Sequence, residues 1–309
     1  MALLSEFTPG RSSVPVLCYH NIGGNGVPEE SFAAQMDWLA ARGVRSLTLA
    51  GVEAFLRGEP LREPSVLLTF DDGFRDLYTR AAPILRRHGF SCLAFVVPNR
   101  IREDHEPGTG EPIMADAAHE AFVLRGDRSA WMSWAEIAEL QREGVVEVGS
   151  HSLTHRMAPV SEAQAGEVPA HWAYAPWRGQ KTFPRLAPEL AAPIRVEEQG
   201  RLETIEELKA RVEENILKSR DELESRLGCE VRSLAWPWGA WRPEGLWAAH
   251  KAGIRLCFTL ERGPLSPGTD LMRLPRLEVR RAKGLSWFAT RMHIYSRAVF
   301  ARLYSAMRF

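Results

Sequence analysis

Two adjacent carboxylates and two imidazoles four residues apart are the groups in this chain best placed to do chemistry. The carboxylates end the run Val66-Leu67-Leu68-Thr69-Phe70-Asp71-Asp72-Gly73. The apolar, β-prone residues before them read as a buried strand, and Gly73 reverses the chain at its acidic end. Open α/β sheets and barrels carry their chemistry at the carboxyl ends of strands. Neighbouring aspartates repel, so the pair needs a cation or a shared proton. The alternative is a helix cap, because Asp72 and Gly73 precede a helical segment.

The imidazoles follow a second short β-like run, Val145 to Ser150, in the stretch His151-Ser152-Leu153-Thr154-His155. Histidines at i and i+4 share a face if the segment turns helically. Two imidazoles and one carboxylate form a facial set for a divalent metal, with positions left open for water and substrate. A His₂Asp set of this kind suits Zn²⁺, although Co²⁺, Ni²⁺, Mn²⁺ and Fe²⁺ also fit.

The elements that must position these groups alternate between strand and helix. Strands are expected over 14–19, 44–49, 66–70, 90–97, 145–150, 231–236, 254–260 and 274–279. Helices are expected over 31–42, 52–57, 76–88 and 243–252, and after the capping boxes at Ser133 and Thr204. The Thr204 box opens a helix whose stripe Leu208, Val212, Ile216, Leu223 is core packing. Strand, helix, strand at these lengths implies a parallel sheet with helices outside, closed or nearly closed. Residues 99–130 and 158–200 lack a clear period and read as two long insertions, the first with a short helix near Ala115 to Leu124. Trp172, Tyr174 and Trp177 in the second either stack on sugar faces or pack the loop down.

The pairing of Thr69-Phe70-Asp71-Asp72-Gly73 with His151-Ser152-Leu153-Thr154-His155 resembles the first two motifs of the polysaccharide deacetylase family. That is the NodB-homology domain of carbohydrate esterase family four. Further matches are Pro15 to Ile22 (PVLCYHNI), Trp134 to Gly144, Ala235 to Gly239 (AWPWG) and Leu274 to Leu277 (LPRL). The first and third of these favour the branch that includes poly-N-acetylglucosamine deacetylases. The resemblance implies an irregular (β/α)7 barrel over residues 1–284, carrying the two insertions. It also implies a metal-dependent hydrolase that removes N-acetyl groups from an amino sugar in a glycan or glycan precursor.

By resemblance, Asp72, His151 and His155 hold the metal and Asp71 is the general base. His20, at the end of the first strand, is the favoured acid or substrate contact, with a structural hydrogen-bonding role as the alternative, since the surroundings of His293 do not match the family's later histidine motif. Ser233, Leu234 and Ala235 stand where relatives often carry an arginine. Arg276 is then expected to supply that charge. Trp236, Pro237, Trp238 and Gly239 are expected to bind substrate along the groove, with core packing as the alternative for both tryptophans.

Composition sets outer bounds. The 309 residues suffice for one large α/β domain or two small ones. Lys+Arg and Asp+Glu are both 39, so no bulk affinity for polyanions follows, and no basic stripe supports a nucleic-acid role. Cys18, Cys92, Cys229 and Cys257 read as buried thiols. Met1 to Ser13 is not a recognisable signal peptide, which gives a cytoplasmic expectation. Residues 285–309 mix aromatic and basic side chains. They read as a basic amphipathic helix packed on the barrel or lying on an anionic membrane. The second option motivates an alternative substrate, a lipid-linked amino sugar deformylated or deacetylated at the membrane face. A catalytically silent carbohydrate-binding protein on the same fold is the third reading.

Overall fold

A computed structural model describes residues 9–306. The leader reading over Met1 to Ser13 falls mostly outside this range, as does Arg308 of the tail.

Seven strands form one curled parallel path. In chain order these are β1 (Val16–Tyr19), β3 (Ser65–Phe70), β4 (Cys92–Val96), β5 (Val146–Ser150), β10 (Ser233–Ala235), β11 (Leu256–Phe258) and β12 (Leu277–Glu278). The spatial order is β11-β10-β5-β4-β3-β1-β12, and β2 (Arg45–Ser46) pairs with the start of β3. Residues 271–276 lace the two ends together. Leu274 N donates to Cys257 O at 2.8 Å and Arg276 N to Glu261 O at 3.0 Å, while Leu277 pairs with Leu17 of β1. This is the curled, nearly closed parallel sheet with helices outside that the alternating pattern implies, and an irregular half-barrel of the kind the resemblance implies.

Strands buried on both faces read as apolar runs, and β1, β3 and β4 are buried throughout. One face looks into the barrel, where Leu67, Leu93, Phe95, Ala235 and Phe258 meet. The other packs on helices. There Tyr19, Phe70 and Val148 contact α1 (Glu29–Ala40), α3 (Ala82–His88) and α5 (Trp134–Arg142). A π-helical turn, Leu77–Ala81, leads into α3. The short α2 (Leu49–Leu56) follows β2, and α7 (Pro243–Lys251) precedes β11. The long α6 (Ile205–Leu227) carries both parts of a capping box at Thr204 and Glu207. Its stripe Leu208, Val212 and Ile216 packs with Leu234 and Cys257.

The insertions are more ordered than their sequences suggest. The first contains α4 (Ala115–Arg125). The second is not a plain loop. It folds as an antiparallel hairpin of β6 (Met157–Ala165) and β7 (Thr182–Pro188), with a 3₁₀ segment Trp172–Trp177 between them. A smaller hairpin follows, β8 (Arg195–Val196) and β9 (Arg201–Leu202). A register shift between Pro159 and Ala163 interrupts the β6–β7 ladder, so no clean period-two signal reaches the sequence. Tyr174 acts as packing here, since its hydroxyl accepts from Leu186 N at 3.1 Å and its ring meets Phe183 edge-on.

At the C-terminal end, α8 (Leu285–Tyr295) buries Phe288, Ala289, Met292 and Tyr295 in the core, with Phe288 edge-on to Trp38. The following α9 (Ala298–Ala306) leaves Val299, Phe300 and Leu303 exposed. Among the described residues no helix is long and apolar enough to cross a membrane.

Candidate active site

At the carboxyl end of β3, both aspartates are buried, and their surroundings separate them. Asp71 is clamped by Arg276, which donates from Nη1 to Oδ1 at 2.6 Å and from Nη2 to Oδ2 at 2.8 Å. The remaining Arg276 donors reach Thr259 O at 3.0 Å and Thr69 Oγ1 at 3.2 Å, so the fork cannot swing. Burial would raise the Asp71 carboxyl, but Arg276 and His151 together hold it below its ordinary value. It is an oriented, ionised carboxylate with both oxygens engaged.

Asp72 faces the imidazoles. Its Oδ1 lies 3.8 Å from His151 Nε2 and 3.5 Å from His155 Nε2, and this buried atom has no hydrogen-bond partner. Two ligand atoms each ~2.1 Å from an ion at a tetrahedral angle stand about 3.4 Å apart. The observed separations therefore fit a bound cation, and all three ligand atoms lie within 4.8 Å of one another. His151 Nδ1 donates to Ala235 O at 2.8 Å, which leaves its Nε2 lone pair directed at the site. Burial lowers both imidazoles, His155 well below its ordinary value, so they are neutral, as ligation requires. A second cluster, Cys18, His20 and Asp71, fits a cation less well. Burial holds the Cys18 thiol protonated, and Arg276 already occupies the Asp71 oxygens.

The histidine segment is not helical. It is a tight loop with Ser152 at φ 67° and His155 at φ 47°. Side chains replace the missing helical bonds. Ser152 Oγ accepts from His155 N at 2.9 Å, and Asn215 Oδ1 of α6 accepts from Leu153 N at 3.0 Å. The two rings still converge, with centroids 4.8 Å apart. Among the described residues, non-glycine residues at positive φ are Asp72, Ser152, His155 and Trp238. All four sit at this one mouth, so backbone strain is concentrated where the chemistry is. Gly73 at φ 76° completes the turn, and a Cβ there would come within 3.1 Å of Val96.

His20 lies at the rim, half-buried, within the cluster around Asp71. Its loop is pinned by Ile22 N, which donates to Asp76 Oδ2 at 2.9 Å, and by Asn21 Nδ2, which donates to Ile113 O at 2.8 Å. Of the AWPWG stretch only Trp238 lines the cleft, with its ring 4.1 Å from that of His155. Trp236 does not reach the groove. Strand alternation turns it outward from Ala235, among Leu234, Ala248 and Ile254. Pro237 is buried and does not line the cleft, and Gly239 at φ 68° lies so close to Leu260 N that a Cβ would stand 2.7 Å away.

Three residues in the site arise from the insertions: His119 and Arg100, which no local motif marks, and Trp172, one of the aromatics that could stack on a sugar or pack the loop. His119 of α4 is buried, with Nε2 3.6 Å from Asp72 Oδ2. Trp172 stacks on His119 at 4.6 Å. Arg100, buried behind them, donates to His119 Nδ1 and to His155 O. Burial lowers Arg100 to about 10, which still leaves it a cation at neutral pH. A guanidinium can only donate, so His119 Nδ1 must accept. The neutral His119 ring therefore carries its proton on Nε2 and presents it to Asp72 Oδ2. That orients Asp72 with Oδ1 free.

The cleft over these groups has a volume of about 680 Å³, within the range of small-molecule sites. The polysaccharide deacetylase family model matches residues 58–257. The chain is 24% identical over 296 residues to the poly-β-1,6-N-acetyl-D-glucosamine N-deacetylase of Escherichia coli K12. That match covers 93% of this chain but 40% of the relative, so the chain spans well under half of that protein's length. Solved structures of similar fold include IcaB from Ammonifex degensii, with TM-score 0.65 and 23% identity over 93% of this chain and 99% of that one. A de-N-acetylase from Aggregatibacter actinomycetemcomitans gives TM-score 0.68 and 20% identity over 90% and 98%. The family model spans most of the chain, and both metal-site motifs stand at the strand ends where the sheet topology gathers them. The chain belongs to the polysaccharide deacetylase family.

Proposed function

We propose that this protein hydrolyses the N-acetyl group of an amino sugar within a glycan, using Asp72, His151 and His155 to hold one divalent cation beside Asp71. The observation that carries this is the division of labour in the aspartate pair. One carboxylate is fixed by Arg276, and the other keeps a buried oxygen free toward two neutral imidazoles. We propose Zn²⁺ as the ion, because two imidazoles and a carboxylate with open positions suit it. When bound, it supplies a water of lowered pKa and polarises the amide carbonyl.

Asp71, kept ionised and oriented by Arg276, takes a proton from the attacking water. His20, beside Asp71 at the end of the neighbouring strand β1, gives a proton to the amine nitrogen as the C–N bond breaks, and acetate leaves. Trp238 and Trp172 wall the site with flat apolar rings and exclude bulk water around the reacting carbonyl.

The test is acetate release from acetylated poly-β-1,6-glucosamine and from chitooligosaccharides. Metal-loaded protein should release acetate from at least one, and Asp71→Asn should abolish it. Release that survives Asp71→Asn would overturn the role given to that carboxylate. Sugar binding without release under any metal would support the silent carbohydrate-binding reading instead.

A further inference from the structure

Resting on the reading of the cleft as a sugar-amide hydrolase, we infer that a second pocket beside it receives a phosphate group carried by the substrate. This pocket, of about 300 Å³, shares Leu260, Glu278 and Arg280 with the metal-site cleft, so the two adjoin. Its lining is strongly positive. Arg262, Arg280, Lys283 and Arg291 face one carboxylate, Glu278, while Arg276 is committed to Asp71. Glu278 is itself paired with Arg280 at 2.7 Å. Among the described residues Arg262, Lys283 and Arg291 have no carboxylate partner. Lys283 and Arg291 lie 5.7 and 5.4 Å from the Trp287 ring, which fixes two of the charges against one wall.

Three cations without a carboxylate partner around one pocket favour an anion among them. They stand in a chain whose charges balance overall, so the excess is local. A single carboxylate brings one negative charge and satisfies one guanidinium fork. A phosphate or pyrophosphate brings more charge and oxygens on several sides, which matches two arginines and an ammonium. Arg280 borders both pockets, so the phosphate would sit next to the acetylated sugar, as on a sugar phosphate or a lipid phosphate. Those two sources share the chemistry and differ in whether a membrane is needed.

The test uses the full chain with its metal and reads binding without turnover. Inorganic pyrophosphate is titrated calorimetrically into the parent and into Arg262→Gln/Lys283→Gln, both exposed positions, with Arg291→Gln as a second variant. Pyrophosphate taken up at the metal affects all forms equally, so the difference isolates the pocket. Parent binding that weakens by about tenfold or more in the variants, and falls with added salt, supports the proposal. Equal affinity in parent and variants, or no binding in either, overturns it. Sedimentation with phosphatidylcholine vesicles that requires added phosphatidylglycerol, and is lost in the variants, would assign the phosphate to a membrane. Pyrophosphate binding without such sedimentation would assign it to a soluble sugar phosphate. Absence of acetate release would count against the hydrolase reading alone.

Discussion

Replacing Arg276 by methionine should invert Asp71's contribution to the pH dependence of stability and sharply reduce turnover. Arg276 and Asp71 are both fully buried and meet through two hydrogen bonds of 2.6 and 2.8 Å. Removing one partner of such a pair leaves an uncompensated charge and costs about 3–5 kcal/mol. In the parent, the folded Asp71 carboxyl lies below its unfolded value. Its contribution is thus present above the ordinary carboxylate range and is lost as pH falls through the folded value. Without Arg276, burial dominates and the folded value rises above the unfolded one. Asp71 then favours folding in acid, and that contribution is lost as pH rises through the raised value. Urea unfolding of the parent and Arg276→Met between acid and alkaline pH reads the two slopes. In the variant Asp71 loses the guanidinium that orients it and favours its ionised form, so kcat/KM should fall by about 100-fold or more. Adding Asp71→Asn removes the buried charge and should restore much of the lost stability but none of the activity. Parent-like stability slopes together with parent-like kcat/KM in Arg276→Met would refute this account of the pair.

Two further outcomes follow from buried groups outside that pair. His119→Ala should weaken metal affinity by about 10–100-fold, measured by chelator competition, whereas His119→Gln, which can still donate to Asp72, should retain most of it. Equal affinity in all three forms would remove His119 from the positioning of Asp72. Burial raises Asp76 to about 8, above its unfolded value, so the parent should lose stability as pH rises from about 4 toward 8. Asp76→Asn still accepts from Ile22 N and should flatten that slope, gaining on the order of a few kcal/mol relative to the parent at alkaline pH. An unchanged slope in denaturant titrations would contradict it.

The legible parts of the site were those written in adjacent residues at strand ends. Asp71, Asp72, His151 and His155 each follow a short apolar run, and parallel topology then gathers the run ends. Arg276 was reachable because a buried carboxylate without its usual arginine neighbour needs a cation from elsewhere. His119 and Arg100 were not, because they converge through packing of aperiodic insertions rather than through a local pattern, whereas Trp172 was legible only as one of three aromatics that could stack on a sugar or pack the loop. The same limit applies to β6 and β7, whose bulged register and prolines blur the strand period. Trp236 and Trp238 look equivalent in sequence. They part because one continues the outward alternation of β10 and the other sits past a turn at φ 57°.

Asp72, His151 and His155, with Asp72 far from the histidines in sequence, are proposed to share one ion. Cobalt titration of the metal-stripped chain, followed by its visible d–d absorption, tests it directly. The account predicts saturation at one equivalent, with affinity reduced by about 100-fold or more in both Asp72→Ala and His155→Ala while the folded far-UV signal is kept. Absence of a saturable band in the parent, or parent-like titrations in both variants, would contradict it.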